Sequence, residues 1–427
     1  MRRHNYKRGK TMSWDDQSTW ILGVQGWSVV EKGIFLEGDT LVVSVAQAAG
    51  TGYRCSRCGE GVLIAYDHLP MRRIRDFPWA GRRCELEVTL ARIDCPKCHA
   101  VAVQAVEWLE PHARHTQRYE RYVANLCSLM TATDVADHEG LDKTTVYRID
   151  KKWLERREAL REDHTVLRLG IDEIAIRKGQ RYATVFYDLD RREVIGMVLT
   201  RKQRAVSRFF RRWGKEKCRA VTAVCMDLWA PFLNSVQRHL KNATVVFDKF
   251  HVYKYLSDAI EAVRRHEQQI ADKKEGQLIK GTRWLWLKAK GNLKRKEKCT
   301  LAEIMKVNRR LQRAYVLKED FEAFYASASS EDAAKFLREW TRRCKQSRLD
   351  SFIALAKRLN RWSKGILSYF THRITNGVSE GINNLIKVIK RRAYGYVDFE
   401  YFVLKILDAT GALPPLSQVS PTTHPHS

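Results

Sequence analysis

The spacing of hydrophobic residues divides the chain into a strand-rich front, a helical stretch and a longer mixed region. Residues 19–110 contain short apolar runs, rich in Val, Trp and Cys and separated by glycines, which is typical of short strands. Residues 112–160 have the spacing of helices. The first 18 residues are polar and basic, so we expect them to be disordered.

The pattern becomes strand-like shortly after residue 165. Apolar residues alternate along one predicted face, Leu167, Leu169 and Ile171. Gly170 and Asp172 lie on the opposite face. A predicted turn at Lys178–Gln180 leads to a second apolar run, Tyr182–Tyr187, and a turn at Asp188–Arg191 leads to a third, Val194–Leu199. The three runs predict an antiparallel meander.

A helix and two further strands are predicted after the meander. The helix spans Gln203–Trp213, and an apolar strand, Ala220–Met226, ends at Asp227. Pro231 is expected at the start of a new helix, because proline fits the first helical turn. Val245–Phe247 is predicted as a short fifth strand.

The chain has no proline between Pro231 and Pro414, and apolar residues recur there at helical spacing. Examples are Ile304, Leu311, Tyr315, Phe336, Trp340, Phe352 and Leu359. This stretch therefore predicts a long helical block. The last fifteen residues contain four prolines, which predicts a loose tail.

The charge of the chain points to a polyanionic partner. Lys and Arg number 77 against 49 Asp and Glu, which gives a net charge of +28. Such a basic surface binds phosphate backbones by releasing their counterions, so nucleic acid is the expected partner. No apolar run is long enough to span a bilayer, and the basic N-terminus lacks the apolar core of a signal peptide. The ten cysteines are therefore expected in a reducing cytoplasm, as thiols or metal ligands.

Two C-x-x-C pairs predict one structural Zn²⁺ site in the strand-rich front. The candidate ligands are Cys55, Cys58, Cys95 and Cys98. Two residues between thiolates let both sulfurs meet one ion across a tight turn, and two such turns complete a tetrahedral site. A redox motif or unrelated buried thiols are the alternative interpretations. Cys84 and His99 are the substitute ligands that this region offers.

A helix-turn-helix is predicted next. A short helix over Thr131–His138 is followed by a turn at Gly140–Asp142 and by a second helix that opens at Lys143. Basic and hydroxyl side chains at the start of such a second helix are typical of residues that read the major groove. The candidate DNA contacts are Lys143, Thr144, Thr145 and Arg148. Any two packed helices imitate this pattern, so the pattern alone does not establish DNA binding.

Three acids stand out by position. Asp172 lies in the first strand of the meander, Asp227 ends the later apolar strand, and Glu380 lies near the start of a predicted helix, Asn376–Arg392. The buried face of that helix is predicted to hold Ile382, Leu385, Ile386 and Ile389. The opposite face holds Glu380 with Asn383, Asn384, Lys387 and Arg391. Lys387 and Arg391 are added to the candidate DNA contacts.

Paired acids suit phosphodiester chemistry. Hydrolysis or transesterification needs an activated oxygen nucleophile and a stabilised leaving oxygen. Two divalent cations about 3.5–4 Å apart, held by carboxylates, supply both. Acids at strand ends are also common as solvated or capping residues, so the pattern leaves both interpretations open.

Several short strings, in this order, match one family. They are Ile74–Trp79, Pro111–Arg114, Gly170–Glu173, Lys178–Val185, Met226–Trp229, Phe247–Val252 and Ile374–Gly381. In these strings the chain resembles an insertion-sequence transposase of the ISL-three family, over about residues 19–410. Several unrelated strings in the right order make the resemblance specific.

The resemblance implies an RNase H-like catalytic domain of the DDE type. It makes Asp172, Asp227 and Glu380 the catalytic residues, which would bind two Mg²⁺ or Mn²⁺ ions. Asp248 and His251 match an Asp-x-x-His element associated with catalysis, although a core or capping histidine is the alternative for His251.

The stretch between the second aspartate and the glutamate resembles the helical insertion of the family. It contains Trp284 and Trp286 among basic residues. Aromatic rings among cations stack on unpaired bases. Burial in a helix core is the alternative for each tryptophan.

The expected architecture is multidomain, of mixed α+β and α/β class. Its predicted parts are a basic disordered extension (1–18), a zinc-ribbon DNA-binding domain (19–110), a helix-turn-helix (111–163), the first part of an RNase H-like domain (164–250), a helical insertion (251–370), the final helices of the catalytic domain (371–412) and a flexible tail (413–427).

The expected function is DNA transposition in a bacterial cytoplasm, in association with the nucleoid. The protein would bind the terminal inverted repeats of an insertion sequence, cleave there with divalent metal, and join the freed strand to target DNA. A homodimer is expected because two element ends must be joined, and neither a membrane nor a small-molecule cofactor is expected. The alternatives are a catalytically silent DNA-binding regulator and a structure-selective nuclease of the same fold.

Overall fold

The computed structural model describes residues 22–177 and 181–419. The chain forms two compact units. The first contains the residues up to Arg161 together with the segment that starts at Leu413, and the second spans Glu162–Ala412. The chain therefore leaves the first unit after Arg161 and returns to it at Leu413. The predicted disordered extension, residues 1–18, lies outside the described residues.

The front of the first unit is built from strands, as predicted. They are β1 (Trp27–Glu37), β2 (Thr40–Gln47), β3 (Tyr53–Arg54), β4 (Gly61–Val62), β5 (Asp67–His68), β6 (Arg72–Trp79), β7 (Arg82–Val88), β8 (Ala91–Cys95) and β9 (Ala100–Val103). A four-stranded sheet has the order β1-β2-β7-β6, with only the β2–β7 pair parallel. Two smaller sheets, β3-β4 and β5-β8-β9, carry the cysteine pairs. Trp27, Leu86 and Trp108 belong to the apolar core of the larger sheet.

Three helices complete the first unit. They are α1 (Gln117–Leu129), α2 (Ala132–Glu139) and α3 (Lys143–Ala159). Their shared core includes Val123, Val135, Val146 and Trp153, each fully buried. The apolar spacing that predicted helices over 112–160 is therefore the spacing of this core.

The string Ile74–Trp79 joins the helices to the sheet. Asp76 of β6 is fully buried, and its carboxylate accepts hydrogen bonds from Thr116 Oγ1 and Arg118 Nε, each at 2.6 Å. The neighbouring Arg75 pairs with Glu139 at 3.0 Å. Buried charges persist only when they are paired, so this family string has a structural role.

The structure differs from the predicted loose tail at Leu413–Val419. Leu416 and Val419 pack into the core of the three helices, and Val419 is 2% exposed. Arg121 Nη2 donates to the carbonyl of Val419 at 2.9 Å, and Arg157 Nε donates to that of Pro414 at 2.6 Å. Leu416–Gln418 form a short 3-10 helix, and the two arginines satisfy carbonyls on either side of it. Residues 420–427 lie outside the described residues.

The second unit is organised around a five-stranded sheet. Its strands are β10 (Arg168–Arg177), β11 (Arg181–Asp188), β12 (Glu193–Val198), β13 (Ala223–Met226) and β14 (Thr244–Phe247). The order is β12-β11-β10-β13-β14. The first three strands form the predicted antiparallel meander, and β13 and β14 run parallel to β10.

Two details of this sheet differ from the sequence pattern. Leu167 is 50% exposed and precedes β10, whereas Val166 is buried. β13 begins only at Ala223, because Lys215–Ala220 form a short helix. The predicted turn at residues 178–180 lies outside the described residues.

Helices fill the rest of the second unit, which confirms the predicted helical block. They are α4 (Gln203–Trp213), α5 (Lys215–Ala220), α6 (Ala230–His239), α7 (Lys249–Ile270), α8 (Lys273–Ile279), α9 (Arg283–Leu287), α10 (Arg295–Val307), α11 (Arg309–Asp320), α12 (Ser330–Gln346), α13 (Asp350–Arg361), α14 (Ser363–Leu367), α15 (Tyr369–His372), α16 (Gly377–Arg392) and α17 (Phe399–Ala409). Pro231 lies in the first turn of α6, as predicted. Among the described residues, no helix combines the length and the apolar character that crossing a membrane requires.

Candidate active site

Three neighbouring strands of the five-stranded sheet in the second unit bring acids to the same level. Ile171 of β10 pairs with Met226 of β13, and Met226 pairs with Phe247 of β14. The next residues along the chain are Asp172, Asp227 and Asp248. Because the three strands are parallel and in register, these acids lie on adjacent strands at one level of the sheet.

Two of these acids meet a histidine. Ligand atoms of Asp172, Asp227 and His251 all lie within 4.8 Å of one another. His251 belongs to the first turn of α7, and its Nε2 lies 2.9 Å from Asp227 Oδ1. That oxygen is buried, and no described donor is aligned with it for a full hydrogen bond. The cluster therefore offers two carboxylates and an imidazole, which are ligand types of a divalent-cation site.

Asp172 is held by polar groups from two elements. The backbone N–H of Glu173 donates to its Oδ1 at 2.7 Å, and Asn383 Nδ2 of α16 donates to its Oδ2 at 2.8 Å. Asn383 is oriented in turn, because Tyr187 O–H donates to its Oδ1 at 2.6 Å. The sequence pattern missed both Asn383 and Tyr187.

The buried face of α16 differs from the predicted one. Its buried residues are Ser379, Ile382, Asn383 and Ile386. Leu385, predicted to be buried, is 36% exposed. The cause is the polar contact of Asn383 with Asp172, which turns a polar residue inward. Lys387 and Arg391 are exposed, as predicted.

Glu380 lies in the first turn of α16, where the sequence pattern put it. Its side chain is exposed, and among the described residues it does not belong to the group that converges on Asp172. Asn383, one helical turn later, makes that contact instead. The structure therefore brings together two of the three predicted catalytic acids.

Burial and like charge shift the titration of this site. Burial, together with the charge of Asp227, raises the pKa of Asp172 to about 6. Burial also raises the pKa of Asp248. Burial alone would lower the pKa of His251, but the neighbouring Asp227 carboxylate outweighs it and the net shift is upward. Crowded, partly buried carboxylates of this kind are stabilised by a nearby cation.

Asp248 connects the sheet to α16. It precedes α7, yet its side chain does not cap that helix. Its Oδ1 instead accepts from the backbone N–H of Asn376 at 3.1 Å. Asn376 Nδ2 donates to the carbonyl of Ile171 at 3.2 Å, so the start of α16 is fixed next to Asp172. Sequence reasoning missed Asn376, although it lies in the family string Ile374–Gly381.

A second polar cluster is structural. His164, Asp188 and Glu193 have ligand atoms within 4.8 Å of one another. The Asp188 carboxylate already accepts from the backbone N–H groups of Asp190 and Arg191, at 2.8 and 3.0 Å, and meets His164 Nε2 at 3.0 Å. Its oxygens are satisfied, so this cluster stabilises the β11–β12 turn.

The four predicted zinc ligands converge in the first unit. The sulfurs of Cys55, Cys58, Cys95 and Cys98 all lie within 4.8 Å of one another. Cys58 and Cys95 are 3.6 Å apart, and Cys55 and Cys98 are 4.0 Å apart. Zinc–sulfur bonds of about 2.3 Å place tetrahedral sulfurs about 3.8 Å apart, so the geometry fits a zinc ion. Cys84 and His99 are not members of this group, and Cys84 is buried in the core of the larger sheet.

The helix-turn-helix has strong local signals. Thr131 and Asp134 form a capping box at the start of α2, and Gly140 ends that helix at φ 61°. Asp142 then caps α3, since its side chain accepts from the backbone N–H of Thr144 at 2.8 Å. The side chains of Lys143, Thr144 and Arg148 are exposed, and that of Thr145 is half-buried. The predicted DNA contacts thus share one accessible helix start.

Comparison with known families agrees with this organisation. Residues 104–154 match the helix-turn-helix domain of transposase family ISL3, the ISL-three family named above. Residues 169–406, more than half of the chain, match the DDE model of the same family, described as a transposase. The chain belongs to the ISL3 family of transposases. The DDE match includes all three predicted catalytic acids, whereas the four cysteines precede both matches.

Two relatives match most of the chain. The transposase for insertion sequence element IS1001 of Bordetella parapertussis is 32% identical and covers 82% of this chain and 87% of its own length. The transposase for insertion sequence element IS1557 of Mycobacterium tuberculosis is 26% identical and covers 95% of this chain and 97% of its own length. The similarity therefore reaches beyond the two family models.

The two tryptophans of the helical stretch have different environments in this ISL3 member. Trp286 is fully buried, and its Nε1 donates to Thr282 Oγ1 at 3.0 Å, so it is a core residue. Trp284 is 66% exposed beneath the guanidinium of Arg283, at 5.2 Å. Only Trp284 is accessible for the predicted stacking on bases.

Proposed function

We propose that this protein cuts DNA at the ends of its insertion sequence and joins the freed ends to target DNA. The observation that carries the proposal is the convergence of Asp172 and Asp227 on paired strands of an ISL3 transposase. The net charge of +28 supports a DNA substrate. Terminal inverted repeats are the specific sites that we assign to the helix-turn-helix and the cysteine-bearing sheets.

We infer an RNase H-like catalytic domain. An antiparallel meander followed by two strands parallel to its first strand, in the order β12-β11-β10-β13-β14, supports this fold. The long run from α7 to α15 would be its helical insertion. The final helices, α16 and α17, would complete the domain.

The residues present fit divalent cations. Asp172 and Asp227 offer the hard oxygen ligands that Mg²⁺ and Mn²⁺ prefer, and Asp227 Oδ1 is buried without an aligned donor. When bound, two such ions would activate the attacking oxygen and stabilise the leaving oxygen. Glu380 would complete one of the two sites.

The neighbouring residues would hold this arrangement. Asn383 and the backbone N–H of Glu173 fix the direction of the Asp172 carboxylate. His251 lies against Asp227, and we assign it to positioning that carboxylate. Asp248 would act through Asn376, by keeping α16 next to β10.

The test of the proposal is a transposition assay. A plasmid carries a marker between the DNA segments that flank this gene, and the protein is supplied in trans. We expect a joined product at a new site, identified by sequencing. Cleavage without joining would identify a nuclease instead, and binding without cleavage would identify a regulator.

A Glu380→Gln variant should lose both cleavage and joining but still bind DNA. Glu380 is exposed, so the substitution should not affect folding. Removing one carboxylate ligand weakens the metal site, and we expect a loss on the order of a hundredfold or more. Nicking of the flanking DNA is the measurement.

Glu400→Gln is the matched control, because Glu400 is also an exposed glutamate in the first turn of a helix. Normal nicking by Glu380→Gln would remove Glu380 from the site. The position of Glu380 outside the cluster is the one observation that favours the regulator as second candidate. That candidate predicts that wild-type and Glu380→Gln proteins are equally inactive.

A Lys143→Ala variant should lose preference for the element ends. Lys143 is exposed at the start of α3, where base edges would be read together with Thr144, Thr145 and Arg148. One lost base contact costs about 1–3 kcal/mol, which lowers the ratio of specific to random binding about 5- to 150-fold. Competition binding at fixed salt measures this ratio.

Lys151→Ala is the control on the same helix, because Lys151 lies two turns later and pairs with Glu155 at 3.9 Å. An unchanged ratio in Lys143→Ala would contradict a base-reading role for Lys143. Lys387 and Arg391, exposed on α16, are assigned to phosphate contacts. Their loss should weaken all DNA equally and reduce the salt dependence.

We further propose a homodimer, because one complex must hold two element ends. Light scattering on the protein with flanking DNA tests this assembly. One complex with two protein chains and two DNA ends is the expected composition. A complex with one chain and one end that still yields joined product would contradict it.

A further inference from the structure

A cavity of about 520 Å³ lies beside the candidate active site in the second unit. It is enclosed by the last residues of β10, the segment that follows β12, and the start of α17. Its lining includes four aromatic residues, Tyr182, Tyr396, Phe399 and Phe402, and three cations, Arg177, Arg201 and Lys202. No acidic side chain lines it within the described part of the chain. We call this cavity the aromatic pocket.

Arg201 connects the aromatic pocket to the candidate active site. Its guanidinium lies over the rings of Tyr182 and Trp229, 4.7 and 5.2 Å from their centres. Its Nη1 is 3.4 Å from Glu173 Oε2. Glu173 directly follows one proposed catalytic aspartate, and Trp229 lies two residues after the other. One side chain thus borders both the pocket and the carboxylate cluster.

The rim of the pocket leaves apolar side chains uncovered. Leu199 is 56% exposed, Val397 is 96% exposed, and Trp229 beside Arg201 is 39% exposed. Large apolar groups that remain accessible around a cavity mark binding sites for an outside group. The occupant must therefore offer an apolar surface to the walls and negative charge to the three cations.

We propose that the aromatic pocket binds one unpaired base of the DNA substrate, next to the bond that is cut. This inference rests on the proposed function. A flat base stacks on tyrosine, phenylalanine and guanidinium planes, which contributes about 1–3 kcal/mol per base and offsets the cost of unstacking it. The phosphates that flank the base meet the cations of the pocket. A base pair within a duplex cannot enter, because its ring faces are covered by stacking.

Binding of the base can be measured without cleavage. The probes are forked duplexes of random sequence that carry 2-aminopurine at one unpaired position each, with a fully paired duplex as reference. The full chain with its zinc is used, and Mg²⁺ and Mn²⁺ are omitted so that no strand is cut. We expect a change of 2-aminopurine fluorescence at one or two positions near the fork and none in the paired reference.

Leu199→Trp tests the location, because an indole at this exposed rim position fills the pocket without removing a buried group. We expect about tenfold weaker binding of the fork and loss of the fluorescence change, with unchanged binding of the paired duplex. Val307→Trp is the control, since Val307 is 57% exposed on α10 and does not line the pocket. Phe399→Ala, on the pocket wall, should also reduce the fluorescence change.

Three results would overturn the inference. They are no fluorescence change with tight fork binding, equal changes in Leu199→Trp and wild type, and a change of oligomeric state in Leu199→Trp with the signal intact. The last result would assign the pocket to a side chain of a second copy. A protein that shows the signal but never cuts DNA refutes the proposed function alone. A protein that cuts DNA without the signal refutes the aromatic pocket alone.

Discussion

An Asp172→Asn variant is expected to bind element ends normally and to yield neither nicked nor joined DNA. Asp172 and Asp227 lie together on paired strands, and the substitution removes one of the charged ligands of the proposed metal site. Metal-assisted stabilisation supplies several kcal/mol of the barrier reduction, so the rate should fall on the order of a thousandfold or more. Nicking of flanking DNA in Mg²⁺ and gel-shift binding measure the two properties.

The same variant should not unfold the protein. Burial and Asp227 raise the pKa of Asp172 to about 6, so the folded chain holds this proton more tightly than the unfolded chain does. In the absence of metal, ionisation of this carboxyl therefore lowers the free energy of unfolding by roughly 2–3 kcal/mol. The loss develops between about pH 4 and pH 6 and is complete above that. An uncharged amide removes that cost. We expect a melting temperature at pH 7.5 that is no lower than that of the wild type.

Asp258→Asn is the matched control, because Asp258 is an exposed aspartate of α7 and the charge change is the same. It should cut and join DNA as the wild type does. Wild-type nicking by Asp172→Asn would exclude Asp172 from catalysis. Lost nicking together with a lower melting temperature would show that the loss reflects misfolding.

The strands of the five-stranded sheet and the positions of two of its acids could be predicted from the sequence. Strand alternation in β10 and the apolar run of β13 are local properties, and a residue that ends a buried strand is readable from its position. Parallel pairing then brings Asp172 and Asp227 together. The helix-turn-helix was readable for a similar reason, because its capping residues, Thr131 and Asp142, act on neighbouring backbone groups.

The buried face of α16 could not be predicted from the sequence. Its orientation depends on Asn383, whose partners, Asp172 and Tyr187, are about 200 positions earlier in the chain. A pattern based on hydrophobicity predicts that Leu385 is buried, because it gives no weight to a buried polar contact. The packing of Leu413–Val419 was missed likewise, because Arg121 and Arg157, which donate to its carbonyls, are more than 250 residues earlier in the chain. The catalytic roles of the acids stay predictions.

A Cys95→Ser variant is expected to lose zinc and to unfold the cysteine-bearing sheets of the first unit. The apolar core around the four sulfurs is small, with Ile93 and Ala102 as its other fully or nearly buried members. Cys95 is fully buried, and its sulfur accepts from the backbone N–H of Cys98 at 3.4 Å. So small a core does not offset the entropy of folding, and zinc–thiolate bonds would supply the difference, on the order of 10 kcal/mol.

The unfolding should be local, because the four-stranded sheet has its own core around Leu86 and Trp108. Metal analysis should fall from one zinc per chain to none. Limited proteolysis should cut new sites between residues 50 and 70, around the first cysteine pair. Cys299→Ser is the matched control, since Cys299 is an exposed thiol of α10 and should leave both measurements unchanged. Full zinc content in Cys95→Ser would remove Cys95 from the ligand set. Zinc loss without new cleavage sites would mean that these sheets fold without the metal, and the site would then be available for a role other than stability.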